Sequence, residues 1–524
     1  MNLIKYAAWM SASLLLASCS DFLEERSQDT YYITSYKDLD ELLIGDCYAP
    51  VNGATDLANT SDLGYFIHYL ADEIEEQHGE LYSYDSGNRE RIFGYYTWQQ
   101  RTGETYNQKG YYSENGTWTE TYRLINVANN VIECADNVPQ NTDDEKTGTT
   151  RVKGEAHFLR AAYYFWLANL YGKPYTAATA STDLAVPIKT IAKVNDVVYE
   201  RNTVQEVYDQ VLSDLNEAEK DLAQTGKAKS IYRADLTTVY FLKSRVYLYM
   251  QNWTMAAKYA GEVIKARPDL TDFNTLTGSA LSKNSVESIF SMGGAEIPCS
   301  MCNYYQSFRV SKELYDAYSD NDLRKSKYWW KCPDYDFYGY IKIPVSTTQS
   351  TPSDDESYYE NMYRNAMLGQ KSEVSDKFLY RTSEAYLIKA EAEAYQGNDT
   401  EARNLLNKLR FYRYKTGTNY EVTASGKELV EAIREERRLE LALEGTRWFD
   451  LRRYSVCEKY AESKPITHYF SLYSNWRKRS ECRQFVLNAN DAAYTLPIPD
   501  EVIQFHTGMP NNERPERTYT VVPL

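Results

Sequence analysis

Apolar residues at 204, 207, 208, 211, 212, 215 and 218 recur at intervals of three and four, a spacing that lines one face of a helix over residues 204–222. Thr203 and Glu206 stand three apart at its start and predict a capping box. Residues 236–250 and 252–265 read as a second and third helix joined by a tight turn, with Asn252 as the cap. This helix pair returns: Tyr249, Asn252, Thr254 and Ala256 match Tyr395, Asn398, Thr400 and Ala402, each 146 residues further on. In both copies a small residue sits where two antiparallel helices approach, with aromatic residues beside it, as in tetratricopeptide units. Further helices are expected at 118–135, at 151–171 with Gly172 and Pro174 ending it, and at 427–443. The fold expected is mainly α: a tetratricopeptide-like helical-repeat scaffold with long irregular loops and few short strands. The long interruptions are residues 77–117, 270–304 and 319–376, and loops of that length usually carry function. Residues 463–524, with Leu496, Pro497, Ile498 and Pro499, are expected to wrap as irregular structure.

The N-terminus has a different character. Lys5 supplies a charge, residues 6–17 form an apolar run too short to span a bilayer, and Leu16, Ala17 and Ser18 lead into Cys19. Bacterial lipoprotein processing cuts before such a cysteine and acylates it. Residues 1–18 are therefore expected to be a signal peptide, 19–40 a tether lipidated at Cys19, and 41–524 a single α domain with halves at about 41–270 and 271–524. With 43% hydrophobic and 25% charged residues among 524, the chain can bury a large core. Its net charge of −16 repels nucleic acid and anionic membrane surfaces. Of eight cysteines seven remain once the first is acylated, so a complete disulfide framework is not expected. Cys299 and Cys302 form a CxxC with no second close pair for zinc. Aromatic content is 14%, with 49 tyrosines, and Tyr and Trp suit surfaces that are apolar toward a ligand yet tolerate water.

Several segments in order resemble one family. Trp118, Tyr122, Ile125, Asn126, Ala128 and Asn129 are followed by Gly154-Glu155-Ala156-His157-Phe158-Leu159-Arg160-Ala161 and Leu170-Tyr171-Gly172. Then come Arg381, Glu384-Ala385-Tyr386-Leu387, Ala390-Glu391-Ala392 and Leu406-Asn407-Lys408-Leu409-Arg410. The most specific stretch runs from Arg434-Glu435-Glu436-Arg437-Arg438-Leu439-Glu440-Leu441 through Glu444-Gly445-Thr446-Arg447-Trp448-Phe449-Asp450-Leu451-Arg452-Arg453. Together these resemble the SusD/RagB family of outer-membrane nutrient-binding lipoproteins. The usual family ending is replaced by Met509-Pro510-Asn511-Asn512. The resemblance implies a lid-like binding protein over a SusC-like TonB-dependent transporter, lipid-anchored at the cell surface, that captures a glycan without catalysis or cofactor.

The residues themselves offer catalysis no foothold. The five histidines lack ligand spacing, and no phosphate loop or nucleophile elbow is present. Glu431 with Arg434, Glu435 with Arg438 and Arg437 with Glu440 are opposite charges three apart on one helix, which reads as a structural ion-pair network, each pair contributing a few tenths of a kcal/mol when exposed. Asp320 and Asp322 fall short of a calcium site, and no metal is expected. By position in the family, the ligand site is expected at Asp72 and Glu73 with Tyr82, Tyr84, Asn88 and Arg89, and at Asn303, Tyr304 and Tyr305. Trp329 and Trp330, in the aromatic run from Tyr328 to Tyr340, are expected to cover the same groove. Capture of peptides by the same architecture, an extracytoplasmic glycoside hydrolase and a structural adaptor remain the alternatives.

Overall fold

The computed structural model describes residues 33–48, 63–76, 86–107, 110–193, 195–293, 308–331, 338–343, 373–475 and 478–524. Its first helices are α1 (Tyr36–Leu42), α2 (Ser86–Tyr96), α3 (Gly116–Ala135), α4 (Asp143–Tyr171), α5 (Val204–Leu222), α6 (Leu236–Tyr249) and α7 (Trp253–Ala266). Two short helices follow, α8 (Lys312–Ala317) and α9 (Arg324–Tyr328). The C-terminal half carries α10 (Thr382–Tyr395), α11 (Asp399–Phe411), α12 (Gly426–Glu440), α13 (Arg447–Ser455) and α14 (Asp500–Phe505). The strands are β1 (Ile74–Glu76), β2 (Ser288–Ser291), β3 (Phe308–Val310), β4 (Trp329–Lys331), β5 (Tyr338–Tyr340), β6 (Leu379–Arg381), β7 (Ile466–Asn475), β8 (Lys478–Leu487) and β9 (Thr520–Val522). They pair antiparallel as β1 with β3, β2 with β6, β4 with β5, and β7-β8-β9.

Local sequence explains the helices. α4 begins at a capping box between Thr142 and Glu145, with Asp143 and Asp144 beside the positive end of its dipole. From Gly154 to Tyr171 it is buried all round, and it ends at Gly172. At Gly154 a side chain would meet Leu222 of α5 at 2.9 Å, so glycine permits the close approach of α4 to α5. α5 occupies the residues its periodicity predicts and starts at the expected Thr203–Glu206 box.

The two related helix pairs stack consecutively, α7 lying against α10. Trp253 and Tyr395 stack at 3.9 Å, and the Thr254 hydroxyl donates to Gln396 Oε1 at 3.0 Å. The repeat reaches into the backbone. Gln251 and Gly397, also 146 apart, both turn the chain with positive φ, at 58° and 81°. Asn252 accepts from the Met255 N–H at 3.2 Å as predicted, whereas Asn398 does not cap and donates to Glu393 instead. One apolar cluster runs from Leu39 to Met509, and a second fills the space between α10, α11 and α12.

Two expectations are corrected. Residues 463–524 do not wrap as irregular structure throughout, because β7 and β8, ten residues each, pair as an antiparallel hairpin. Ile466, His468 and Phe470 face inward while Thr467 and Tyr469 face out, the alternation of a half-buried strand, which His468 obscures in the sequence. His468 is sandwiched between Tyr96 and Trp98, with centroids at 4.1 and 4.4 Å.

The second correction concerns the charges of α12. Arg434, Glu436, Arg437, Arg438 and Glu440 are buried and pair with other elements, whereas Glu431 and Glu435 are exposed. Of the three expected pairs only Glu435–Arg438 forms, at 3.6 Å, while Glu431 pairs with Lys427 and Arg434 with Glu462. Arg437 bridges Glu384 and Asp450, both at 2.8 Å, and Arg453 holds Asp450 at 2.7 Å and grips Glu391 through two bonds at 2.7 and 2.8 Å. Glu440, fully buried, accepts from Arg324 at 3.0 Å, Arg381 at 2.5 Å and Arg413 at 2.8 Å. Burial pushes its carboxyl up, but Arg413 and Arg381 outweigh that and hold it well below the usual carboxylate range. Such a cluster contributes little net stability as a whole, yet losing one member strands charges in a dry interior. Replacing Glu440 by Ala is expected to lower the unfolding free energy by about 3–5 kcal/mol, measured by urea denaturation; an unchanged midpoint would remove Glu440 from this role.

Candidate functional site

The β1–β3 ladder joins the two regions designated from sequence. Glu76 pairs with Phe308 and Ile74 with Val310. The chain leaves β1 after Glu76 and enters β3 at Phe308, so the two stretches are rooted side by side. Ser311 fastens the junction: its N–H donates to the Glu73 carbonyl and its hydroxyl to the Asp72 carbonyl, both at 2.8 Å.

The side chains at this junction are engaged by the fold. Asp72 accepts two bonds from Arg447, both at 2.8 Å, with Lys464 at 3.4 Å. Burial raises its carboxyl, but Arg447 and Arg438 overcome this and leave it well below its ordinary range. Glu73 accepts from the Leu443 N–H at 3.1 Å. Burial, with the Asp72 charge adding to it against that bond, pushes Glu73 up to about 7. Arg89 pairs with Glu76, donates to the Ser471 carbonyl at 2.6 Å and lies over the Phe470 ring at 4.4 Å. Asn88 is part of α2. Tyr82, Tyr84, Asn303, Tyr304, Tyr305 and Cys19 lie outside the described residues.

Trp329 and Trp330 belong to a pocket. In the β4–β5 hairpin Trp329 pairs with Tyr340, Trp330 with Gly339 and Lys331 with Tyr338. α8 and α9 flank this hairpin, α8 starting where the Ser311 hydroxyl accepts from the Leu314 N–H at 3.3 Å. Together they enclose a concave space of about 780 Å³ walled by Trp330, Tyr315, Tyr338, Lys325, Lys331 and Lys415. Tyr338 stacks on Tyr315 at 3.8 Å, giving a broad aromatic wall. Trp329 and Trp330 are themselves largely buried, at 2% and 6% exposure, while Tyr315 is half-buried. The Trp329 indole N–H is buried without an acceptor among the described residues.

The carboxylates around this space all face cations. Asp316 pairs with Lys312, Asp320 with Lys325 at 2.9 Å, and Asp322 with Arg324 at 2.7 Å. The hydrogen bond and charge of Lys325 lower the Asp320 carboxyl, opposite to the direction a general acid needs. Among the described residues no group of three His, Cys, Asp or Glu side chains is arranged to hold a metal ion. Sequence reading missed Tyr315 and Lys415. Tyr315 sits on a six-residue helix that repeats nothing, and Lys415 arrives through the bridge of Asp322 with Tyr414, for which no local pattern exists.

Residues 52–248 match the family described as starch-binding associating with outer membrane, and residues 300–515 match the SusD family. A SusD-like protein of Formosa agariphila is 27% identical over 380 residues, 64% of this chain and 71% of that protein. A SusD-like protein of Bacteroides ovatus is 22% identical over 69% of each chain. Among solved structures, a SusD superfamily protein from Bacteroides thetaiotaomicron superposes with a TM-score of 0.64 at 21% identity, covering 92% of this chain and 100% of that one. A SusD-like carbohydrate binding protein from Bacteroides vulgatus gives 0.64 at 20% identity, covering 92% and 99%. The fold is thus that of the SusD superfamily. The chain belongs to the SusD/RagB family.

Glu73 titrates in opposite senses to a surface carboxylate. Its folded value, about 7, lies above the ordinary 4.5, so the stability it confers is full below about pH 4.5 and is lost as pH rises through 7. Glu73→Gln is expected to be more stable than the parent by about 3 kcal/mol near pH 8, with no advantage near pH 4.5. Thermal melting at both pH values checks this, and a variant that loses stability at pH 8 would contradict it.

Proposed function

We propose that this protein binds oligosaccharides at the cell surface, without catalysis, and delivers them to a SusC-like TonB-dependent outer-membrane transporter. The carrying observation is the aromatic pocket between α8, α9 and the β4–β5 hairpin. Flat ring faces accept the C–H face of a sugar, and the lysines and aspartates around them reach its hydroxyls. Family membership supports the same reading: one matching family is described as starch-binding and associating with the outer membrane, and one solved relative as a carbohydrate binding protein. Tyr82 and Tyr84, which follow β1 in the chain, and Asn303, Tyr304 and Tyr305, which precede β3, are proposed to contribute to the same site.

No helix among the described residues is long and apolar enough to cross a membrane. Attachment is proposed to come from acyl chains on Cys19, each buried methylene contributing about 0.8 kcal/mol.

Two experiments test this. Calorimetry against an oligosaccharide panel is expected to find a saturable ligand whose affinity falls at least about tenfold, or ~1.4 kcal/mol, in Tyr315→Ala, with Trp330→Ala also weakened. Saturable binding of peptide pools with no response to any glycan would overturn the reading. Metabolic palmitate labelling is expected in the parent and absent in Cys19→Ala; equal labelling would end the anchor proposal.

A further inference from the structure

We infer that the pocket between α8, α9 and the β4–β5 hairpin takes an acidic glycan, one carrying uronate carboxylates or sulfate groups. The inference rests on the reading of this pocket as the glycan site and specifies the ligand's charge.

The chain as a whole carries −16, yet this concave face is cationic. Its three aspartates are each consumed by a neighbour: Asp316 by Lys312, Asp320 by Lys325, and Asp322 by the fully buried Arg324. Two further lysines on the wall, Lys331 and Lys415, have no carboxylate within ion-pair distance among the described residues. Both are exposed.

Their placement is fixed by strand pairing. Lys331 ends β4 opposite Tyr338, the ring stacked on Tyr315, so its charge stands beside the aromatic wall. Lys415 follows Tyr414, whose bridge to Asp322 and whose neighbouring backbone bond from Lys415 N–H to the Asn321 carbonyl at 2.9 Å hold that segment against the start of α9. The pocket therefore combines ring faces with two ammonium groups, reached from separate chain segments, that have no carboxylate at ion-pair distance among the described residues, the Lys415 charge acting on Asp320 from further off.

That combination discriminates by charge. A neutral sugar satisfies the rings but offers an ammonium only a hydroxyl, which bulk water matches. A carboxylate or sulfate on the same ring makes a charge-assisted hydrogen bond, roughly twice as strong as a neutral one. On a protein that otherwise repels anions, a positive concavity also concentrates field where the ligand must enter.

The test is calorimetry on the full chain with three length-matched probes: an oligogalacturonate, its carboxyl-reduced neutral counterpart and a sulfated oligosaccharide. The charged probes are expected to bind at least about tenfold tighter than the neutral one. The advantage is expected to shrink as salt approaches about 0.5 M, where screening acts over a few ångströms. It should disappear in the Lys331→Gln, Lys415→Gln double variant and survive in the corresponding Lys→Arg double variant. The two charged probes separate carboxylate from sulfate as the preferred anion. Tight binding of the neutral probe without preference for either charged one, or a preference that persists in the Gln double variant, overturns the inference and leaves glycan capture standing. Silence toward all three probes and toward a wider neutral panel overturns both.

Discussion

The Glu440 carboxylate, held by three guanidinium groups in a dry interior, is the constraint on which the remaining architecture depends. Arg324, Arg381 and Arg413 come from the start of α9, the end of β6 and the segment after α11, and all converge on the C-terminus of α12. A helix end leaves carbonyls without partners, and cations are favoured there. Arg381 donates to the Glu440 carbonyl at 2.6 Å, and Lys342 donates to the carbonyls of Glu440 at 2.8 Å and Ala442 at 3.1 Å. The Tyr318 hydroxyl reaches the Leu439 carbonyl at 2.8 Å.

These contacts explain how a long excursion presents a defined pocket. Arg324 lies just before β4 and Lys342 just after β5, so both ends of the aromatic hairpin are fastened to the same helix terminus. Tyr318 fastens α8 in the same way. The walls of the pocket are thereby tied to the helical frame through ion pairs and hydrogen bonds. A second set of buried ion pairs, Asp72–Arg447 and Glu391–Arg453, fixes the β1–β3 junction and α13 against that frame. Of the carboxylates that sequence position assigned to the ligand, Asp72 is held by Arg447 and Glu73 accepts from the Leu443 N–H.

The helical half of this account was legible because its signals are local. Periodicity and a capping box specify α5, α6 and α7 nearly to the residue, since each depends on neighbours within four positions, and the displaced repeat marks where α10 and α11 meet. The ion pairs of α12 were misassigned because spacing along one helix cannot reveal that the face carrying Arg434, Arg437, Arg438 and Glu440 is covered while Glu431 and Glu435 stay exposed. Arg437 and Glu440 stand one turn apart yet point to different partners, Glu384 and Asp450 for one, Arg381 and Arg413 for the other. The β7–β8 hairpin was hidden by His468, a polar residue on the inward face, where Tyr96 and Trp98 sandwich it and the Tyr96 and Ala71 carbonyls lie 2.7 and 3.0 Å from its ring nitrogens. Of the site, the aromatic run was visible as composition, and its partners Tyr315 and Lys415 were not, because tertiary contact alone brings them there.

The central claim is that a frame locked by buried charge offers one aromatic, lysine-edged pocket to a glycan. Hydrogen–deuterium exchange on the full chain, with and without saturating oligogalacturonate, tests it most directly. The account predicts added protection in Lys312–Ala317, Trp329–Lys331 and Tyr338–Tyr340, with Gly426–Glu440 already protected and unchanged. Ligand-dependent protection confined to other segments, with these three unaffected, would contradict it.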